Sequence, residues 1–343
     1  MLTRKEIYNS LFAFGVLAVA SYVGNTFKQK FSERTNDDYD IIRTYLLNES
    51  PLYGMNKAKL WIHSKYETNA RDWKSSGGRN TTTLNQPYLH LTIQSIIDHC
   101  GDDFHICLID DNSFSKLIPG WTTNVAALPE PMRTQFREYG LMNLIYLYGG
   151  LLVPNSFICT RNMKSLYEDG LQNGKPFVCE SINRTMNLAE KNHRQLFVPN
   201  LYFMGARRDD DVMRELVDWL KTKCLGPHFS NERVFLGDSG QWAKQRMTVV
   251  GGEKIGIKTT RRQQIVLEDL VEDGYLDLAK DCYGIYIPED EVLQRPNYKW
   301  LAYISKGELL ASSTAIAKYL KSSMVEANND YYKSNVIHSA VAL

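Results

Sequence analysis

Short apolar runs alternate along this chain with longer amphipathic stretches. Lys59 to Ile62 (KLWI), Phe104 to Ile109 (FHICLI) and Leu151 to Val153 are brief apolar segments, the pattern of buried strands. Between the first two, Asn85-Gln86-Pro87 opens a segment running to His99, with Tyr88, Leu91, Ile96 and Ile97 on its buried side. Proline suits a first helical position, so this segment is predicted to be a helix. Strand, helix and strand at this spacing predict a βαβ-like unit. In Gln135 to Tyr148, Phe136, Tyr139, Met142, Ile145 and Tyr146 recur at helical spacing. Gly149-Gly150 then stops that helix, with glycine expected in the left-handed C-cap conformation.

The pattern continues beyond this centre. Lys175 to Cys179 and Leu196 to Gly205 read as strands, and Ala206 to Lys221 as a helix with Val212, Leu216, Trp219 and Leu220 on one face. Leu236 to Trp242 (LGDSGQW) reads as a turn or a helix start that could bring backbone N–H groups to a phosphate. Ile265 to Leu276 and Leu309 to Val325 have helical period, and Gly284 to Pro288 (GIYIP) reads as a strand. The expected fold class is α/β, a sheet flanked by helices.

In such sheets ligands sit beyond the carboxyl ends of strands, so the polar residues just past each run are the site candidates. His63 ends the first strand; a histidine there is either structural or functional. Asp110-Asp111-Asn112 come directly after the second. Their carboxylates can take a ribose hydroxyl or help hold a divalent cation, or they can cap the next helix, Ser113 to Leu117. Pro154-Asn155-Ser156 comes after the third. Asp209-Asp210-Asp211 lies at a helix start, where acidic side chains suit the macrodipole.

Ile7 to Val23 is uncharged and mostly apolar, about 25 Å long as a helix. It is expected to anchor the chain in a lipid bilayer as a single span; a cleaved signal peptide and a buried helix are the rivals. The net charge of +1 supplies no long-range field for nucleic acid, which is not expected as a partner. Six cysteines lack Cys-x-x-Cys spacing, so a zinc site is not expected. Their even number permits disulfides without deciding a pairing. Lys258, Arg261 and Arg262 form a basic cluster, read as a solvated face.

The order Ile-Tyr-Leu-Tyr-Gly-Gly (residues 145–150), apolar strand, polar triplet at 154–156 and then Cys159-Thr160 resembles glycosyltransferases of the capsular-polysaccharide-synthesis type. These belong with the family 32, initiating-mannosyltransferase-like enzymes. The resemblance covers roughly residues 58 to 245. It implies a GT-A-like nucleotide-binding domain over 41–250, after an anchor and stalk over 1–40 and before an α/β extension over 251–343. It also implies a nucleotide-sugar donor, a glycan or protein acceptor, and Mn²⁺ or Mg²⁺ if the protein is active. By that resemblance Glu138, Asn155 and Ser156 would line the sugar site. Trp61, His63, Asp110, Asp111, Asn200, Asp238 and Ser239 would contact the nucleotide sugar, with Asp111 also a metal ligand. The chain departs from the family at two charged positions. The Asp-x-Asp or Asp-x-Thr triplet is Pro154-Asn155-Ser156, and the helix arginine is replaced by Leu141. Neutral oxygens bind hard cations weakly. The alternative expectation is therefore a non-catalytic descendant, tethered to a membrane or a virus particle.

Overall fold

The computed structural model of this 343-residue chain describes residues 57–64, 86–183, 196–226 and 232–325. The expected anchor at 7–23 lies outside these residues. Among the described residues no helix is long and apolar enough to cross a membrane.

The described residues begin with β1 (Ala58–His63), α1 (Pro87–Cys100), β2 (Phe104–Ile109) and α2 (Ser113–Leu117). Then come α3 (Met132–Tyr148), β3 (Gly150–Pro154), β4 (Phe157–Cys159) and α4 (Lys164–Gly170). Next are β5 (Phe177–Ile182), β6 (Phe197–Ala206), α5 (Asp211–Leu225), α6 (Glu232–Arg246) and β7 (Thr248–Val250). The carboxyl third adds α7 (Leu267–Val271), β8 (Gly284–Tyr286), α8 (Glu289–Gln294) and α9 (Lys306–Ala311). A last helix occupies 315–325.

Six of the strands form one mixed sheet in the order β2-β1-β3-β6-β5-β7. β1 is parallel to both β2 and β3, and β5 is parallel to β7, whereas β6 runs antiparallel to its neighbours β3 and β5. The βαβ-like unit expected from the sequence is β1-α1-β2. An α/β sheet flanked by helices is the observed class, and it is compatible with a GT-A-like fold. β4 leaves this sheet and pairs with β8, so residues far along the chain complete a second, two-stranded sheet.

Alternation along the strands sends side chains to two apolar layers. Trp61, Leu152, Val178 and Met204 pack with Leu141, Met142 and Ile145 of α3, Leu216 and Leu220 of α5, and Phe235 of α6. The other layer joins Tyr88, Leu89 and Leu91 of α1 to Ile158, Ile285, Ile287, Leu301 and Ile316.

Three local expectations change. Gly149 does have positive φ, but its ψ of −175° is extended rather than left-handed helical. This mirror-extended region is open essentially to glycine alone, and the Gly149 N–H still closes the helix on the Ile145 carbonyl at 2.8 Å. Leu236 to Trp242 is no turn but the interior of α6. Gly237, Ser239 and Gly240 are buried there, where α6 packs on β6; tertiary packing outweighs the helix penalty of glycine. The helix expected over 265–276 shrinks to α7, and the period over 309–325 is broken between α9 and the last helix.

Gly150 carries the tightest backbone constraint at the sheet centre. Its φ is +114°, and a Cβ there would lie 2.2 Å from the Lys59 carbonyl oxygen of the adjacent strand. Gly150→Ala is expected to cost about 3 kcal/mol or more of stability. Gly307→Ala, in a helix with open space around it, should be neutral or slightly stabilising. Urea midpoints of the two variants test this; equal midpoints would contradict the constraint.

Candidate functional site

His63 sits opposite Ile109 of β2 and Pro154 of β3 in the strand register. The carboxyl ends of these three parallel strands therefore lie side by side, with Asp110, Asp111 and Asn155 just beyond them. β6 runs the other way, with Leu152 opposite Met204. Asn200 consequently falls past the carboxyl end of β3, and Ser181 and Ile182 arrive there from β5. A cleft of about 390 Å³ opens at this edge. Its walls also include Tyr202, Glu232 and Leu236 of α6, and Tyr286, Glu289, Asp290 and Glu291 beside β8.

Beside the cleft lies a buried charge knot. Arg137 of α3 grips Asp111 with Nε donating to Oδ1 at 2.8 Å and Nη2 donating to Oδ2 at 2.6 Å. His63 Nε2 lies 3.0 Å from the same Oδ1. Burial pushes the Asp111 carboxyl up, but hydrogen bonds from Arg137 and then His63 outweigh it and hold the group well below the usual carboxylate range. An ionised carboxylate only accepts, so His63 Nε2 carries the proton in this contact. The imidazole stacks on Phe114 at 5.8 Å between ring centres. The stability that Asp111 contributes is complete above its unfolded pKa near 3.8 and is lost as pH falls below that value toward the depressed native one.

The residues singled out from sequence separate in space. His63, Asn155, Ser156 and Asn200 line the cleft. Asn155 is held by its backbone carbonyl, which accepts from Thr92 Oγ1 of α1 at 2.6 Å. Ser156 donates its hydroxyl to the Ile287 carbonyl at 2.8 Å, which ties the β3–β4 turn to β8. Asn200 Oδ1 accepts from the Tyr202 N–H at 2.8 Å.

The others stand elsewhere. Trp61 is a core side chain whose Nε1 donates to the Gly149 carbonyl at 2.9 Å. Asp110 closes the turn that leads into α2: its Oδ1 accepts from Ser113 N at 2.9 Å and Ser113 Oγ at 2.7 Å. Asp238 faces α5 and pairs with Lys223 at 2.8 Å. Ser239, about 100° further round α6, instead meets Glu138.

Glu138 is buried beside α6 and is not part of the cleft wall. The helical screw explains this: Arg137 and Leu141, one turn apart, face the knot and the cleft, while Glu138 is rotated away. Burial pushes its carboxyl up to about 8, against a hydrogen bond with Ser239, and among the described residues its Oε1 has no hydrogen-bond partner.

Two groups near the cleft are missed by strand-end logic as applied to the first three strands. Leu141 carries no guanidinium, but Arg137 supplies one a turn earlier; no pattern along the helix sets it apart from Arg133. Glu289-Asp290-Glu291 come directly after the GIYIP strand, so the same logic extended to that strand finds them.

The donor set at the triplet does not suit the divalent cation that the family resemblance implies. Pro154 offers no side-chain oxygen, the Ser156 hydroxyl is given to Ile287, and both Asp111 oxygens are held by Arg137 and His63. Among the described residues no group of three acidic, histidine or cysteine side chains is placed to hold a metal ion.

No protein-family model matches the chain, and no curated protein matches it. A solved structure titled "PaToxG Glycosyltransferase" is similar over 61% of this chain and 77% of that chain, at 10% identity and a TM-score of 0.33. A likeness at that score carries no argument about chemistry.

Two predictions come from the knot and its neighbour. Arg137→Met strands a buried carboxylate and is expected to cost about 3–5 kcal/mol, whereas Arg137→Met combined with Asp111→Leu should recover much of that loss. Urea denaturation of both variants tests this, and a single-variant cost below about 1 kcal/mol would overturn the pair's importance. Glu138 keeps its proton in the folded chain between about 4.5 and about 8 while the unfolded chain loses it, so stability falls as pH rises across that window. Glu138→Gln should flatten the decline; an unchanged pH profile would contradict the assignment.

Proposed function

We propose that this chain is a glycosyltransferase-like protein of the GT-A type that receives a nucleotide sugar at the carboxyl edge of β1 and β3. One observation supports the reading above others: Asn155 and Asn200, from strands running in opposite directions, reach the same cleft together with His63. Amides, carboxylates and an aromatic ring are the groups that recognise sugar hydroxyls through hydrogen bonds and stacking. Asn155, Asn200 and Tyr202 would orient the sugar ring, and Ser156 would fix the turn that carries Asn155. His63 would stand at the entrance with its Nε2–H turned to Asp111.

The Arg137–Asp111 pair favours a second form of the same reading. A carboxylate committed to a guanidinium and an imidazole leaves the leaving-group diphosphate without the metal counter-charge that normally promotes transfer. A descendant that binds the nucleotide sugar without cleaving it fits this geometry.

One experiment covers both forms. Millimolar UDP- or GDP-sugars are titrated against the full chain, with Mn²⁺ and with a chelator, while melting temperature and free nucleotide are followed. A rise in melting temperature of a few degrees that survives the chelator is expected, as ligand at about 100 times its Kd adds about 2.7 kcal/mol. Asn155→Ala and Asn200→Ala should each weaken the shift about tenfold in ligand concentration, the loss of about one good hydrogen bond. Release of nucleotide separates transferase from binder. No shift and no release with any donor would remove the proposal.

A further inference from the structure

Six cysteines are buried in the fold as free thiols. Cys107, Cys224 and Cys282 direct their sulfurs at backbone carbonyls. Cys159 also donates to a carbonyl, that of Arg161 at 3.2 Å, but it has a second sulfur beside it. The sulfurs of Cys100 and Cys159 lie 3.9 Å apart, although 59 residues separate them in sequence. Both side chains are fully buried, one at the last turn of α1 and the other at the end of β4.

The seam around them is fixed by hydrogen bonds. Ser95 Oγ of α1 accepts from the Cys159 N–H at 2.9 Å, and Ser323 Oγ of the last helix donates to the Cys159 carbonyl at 2.6 Å. His99 Nε2 stands 3.1 Å from the same Ser323 hydroxyl. The backbone at Cys159 is therefore held against α1 whether or not the sulfurs are bonded. Closing the gap to a disulfide length of about 2.05 Å needs a relative sulfur movement of about 1.9 Å, within reach of side-chain torsions.

We propose that Cys100 and Cys159 are a disulfide-forming pair, closed by exchange with a disulfide oxidant such as glutathione disulfide. Two cysteine thiols give up two protons and two electrons and join through one S–S bond. The glutathione disulfide bond breaks, takes up the electrons and protons, and leaves as two glutathione thiols. The bond would clamp α1 to β4 and replace the weak thiol contact to Arg161. The same seam carries the Thr92 hydrogen bond to the Asn155 carbonyl, so the clamp stiffens the turn that reaches the cleft. Burial, and then the neighbouring Cys100, push the Cys159 thiol up. Exchange therefore proceeds while the seam is open, during folding, and is slow once it is shut.

The full chain is unfolded and refolded in glutathione buffers of defined oxidised-to-reduced ratio. Remaining thiols are then alkylated in denaturant, and the peptides are mapped by mass spectrometry without reduction. The expected result is four alkylated cysteines and one linked peptide pair containing Cys100 and Cys159. The oxidised protein should melt about 5 °C above the reduced protein, as expected for a closed loop of this length in a chain of this size. That difference should vanish in Cys100→Ala and persist in Cys107→Ala. Should Cys159→Ser fail to fold, Cys100→Ala provides the same test from the helix side. Six alkylated cysteines after refolding in the oxidising buffer, or a bond joining any other pair, would overturn the proposal. Both readouts are independent of nucleotide-sugar binding.

Discussion

Asp111 gives both of its carboxylate oxygens to Arg137, and one of them also meets His63. The three side chains come from the loop after β2, the helix before β3 and the end of β1, so one buried ion pair fixes the carboxyl edge of three parallel strands. Removing two charges from water is costly, and the arrangement is stable because each oxygen of the carboxylate is either used twice or held in a short charge-assisted bond. The cleft opens directly beside this knot, and its position depends on it. His63 lines the cleft while its Nε2 stays on Asp111, and Leu141, one turn along α3 from Arg137, lies in the cleft wall.

The same interaction bears on chemistry. In a metal-dependent sugar transferase an acidic side chain near a strand end is kept available for a cation. In this chain the carboxylate at that place is committed to an internal guanidinium, and the triplet after β3 is neutral. Asn155, Asn200 and Tyr202 line the cleft with hydrogen-bonding groups, while the Asp111 carboxylate is turned inward onto Arg137. Recognition and turnover are separable properties of such a cleft.

The second layer of the molecule serves the site indirectly. β4 leaves the main sheet immediately after Asn155-Ser156 and is captured by β8 and α1. Ser156 holds the Ile287 carbonyl, Thr92 holds the Asn155 carbonyl, and Ser95 and Ser323 hold the backbone at Cys159. The turn that enters the cleft is thus suspended between two elements far apart in sequence.

The alternation of apolar runs and amphipathic segments was enough to place β1, α1, β2, α3 and β3, because burial demands a period of 2 or 3.6 wherever one face meets a core. Strand-end logic then found His63 and Asn155, and the family resemblance added Asn200; these three do share a cleft. Strand-end logic also offered Asp110, and the resemblance Glu138 and Asp238, which do not line it. Asp110 and Asp111 are chemically identical neighbours, and only the position of α3 decides that one closes a turn while the other is locked by Arg137. Glu138 and Leu141 differ by three residues on one helix, and only the rotation of that helix against the sheet sends one to α6 and the other to the cleft. The LGDSGQW stretch, read as a turn or a helix start, lies inside α6, where packing on β6 outweighs the helix penalty of its two glycines. Local pattern, then, determined which segments are helix or strand. The pairing of β3 with an antiparallel β6, the capture of β4 by β8 and the partners of each charge depend on contacts between residues tens to hundreds of positions apart, which periodicity along a chain does not encode.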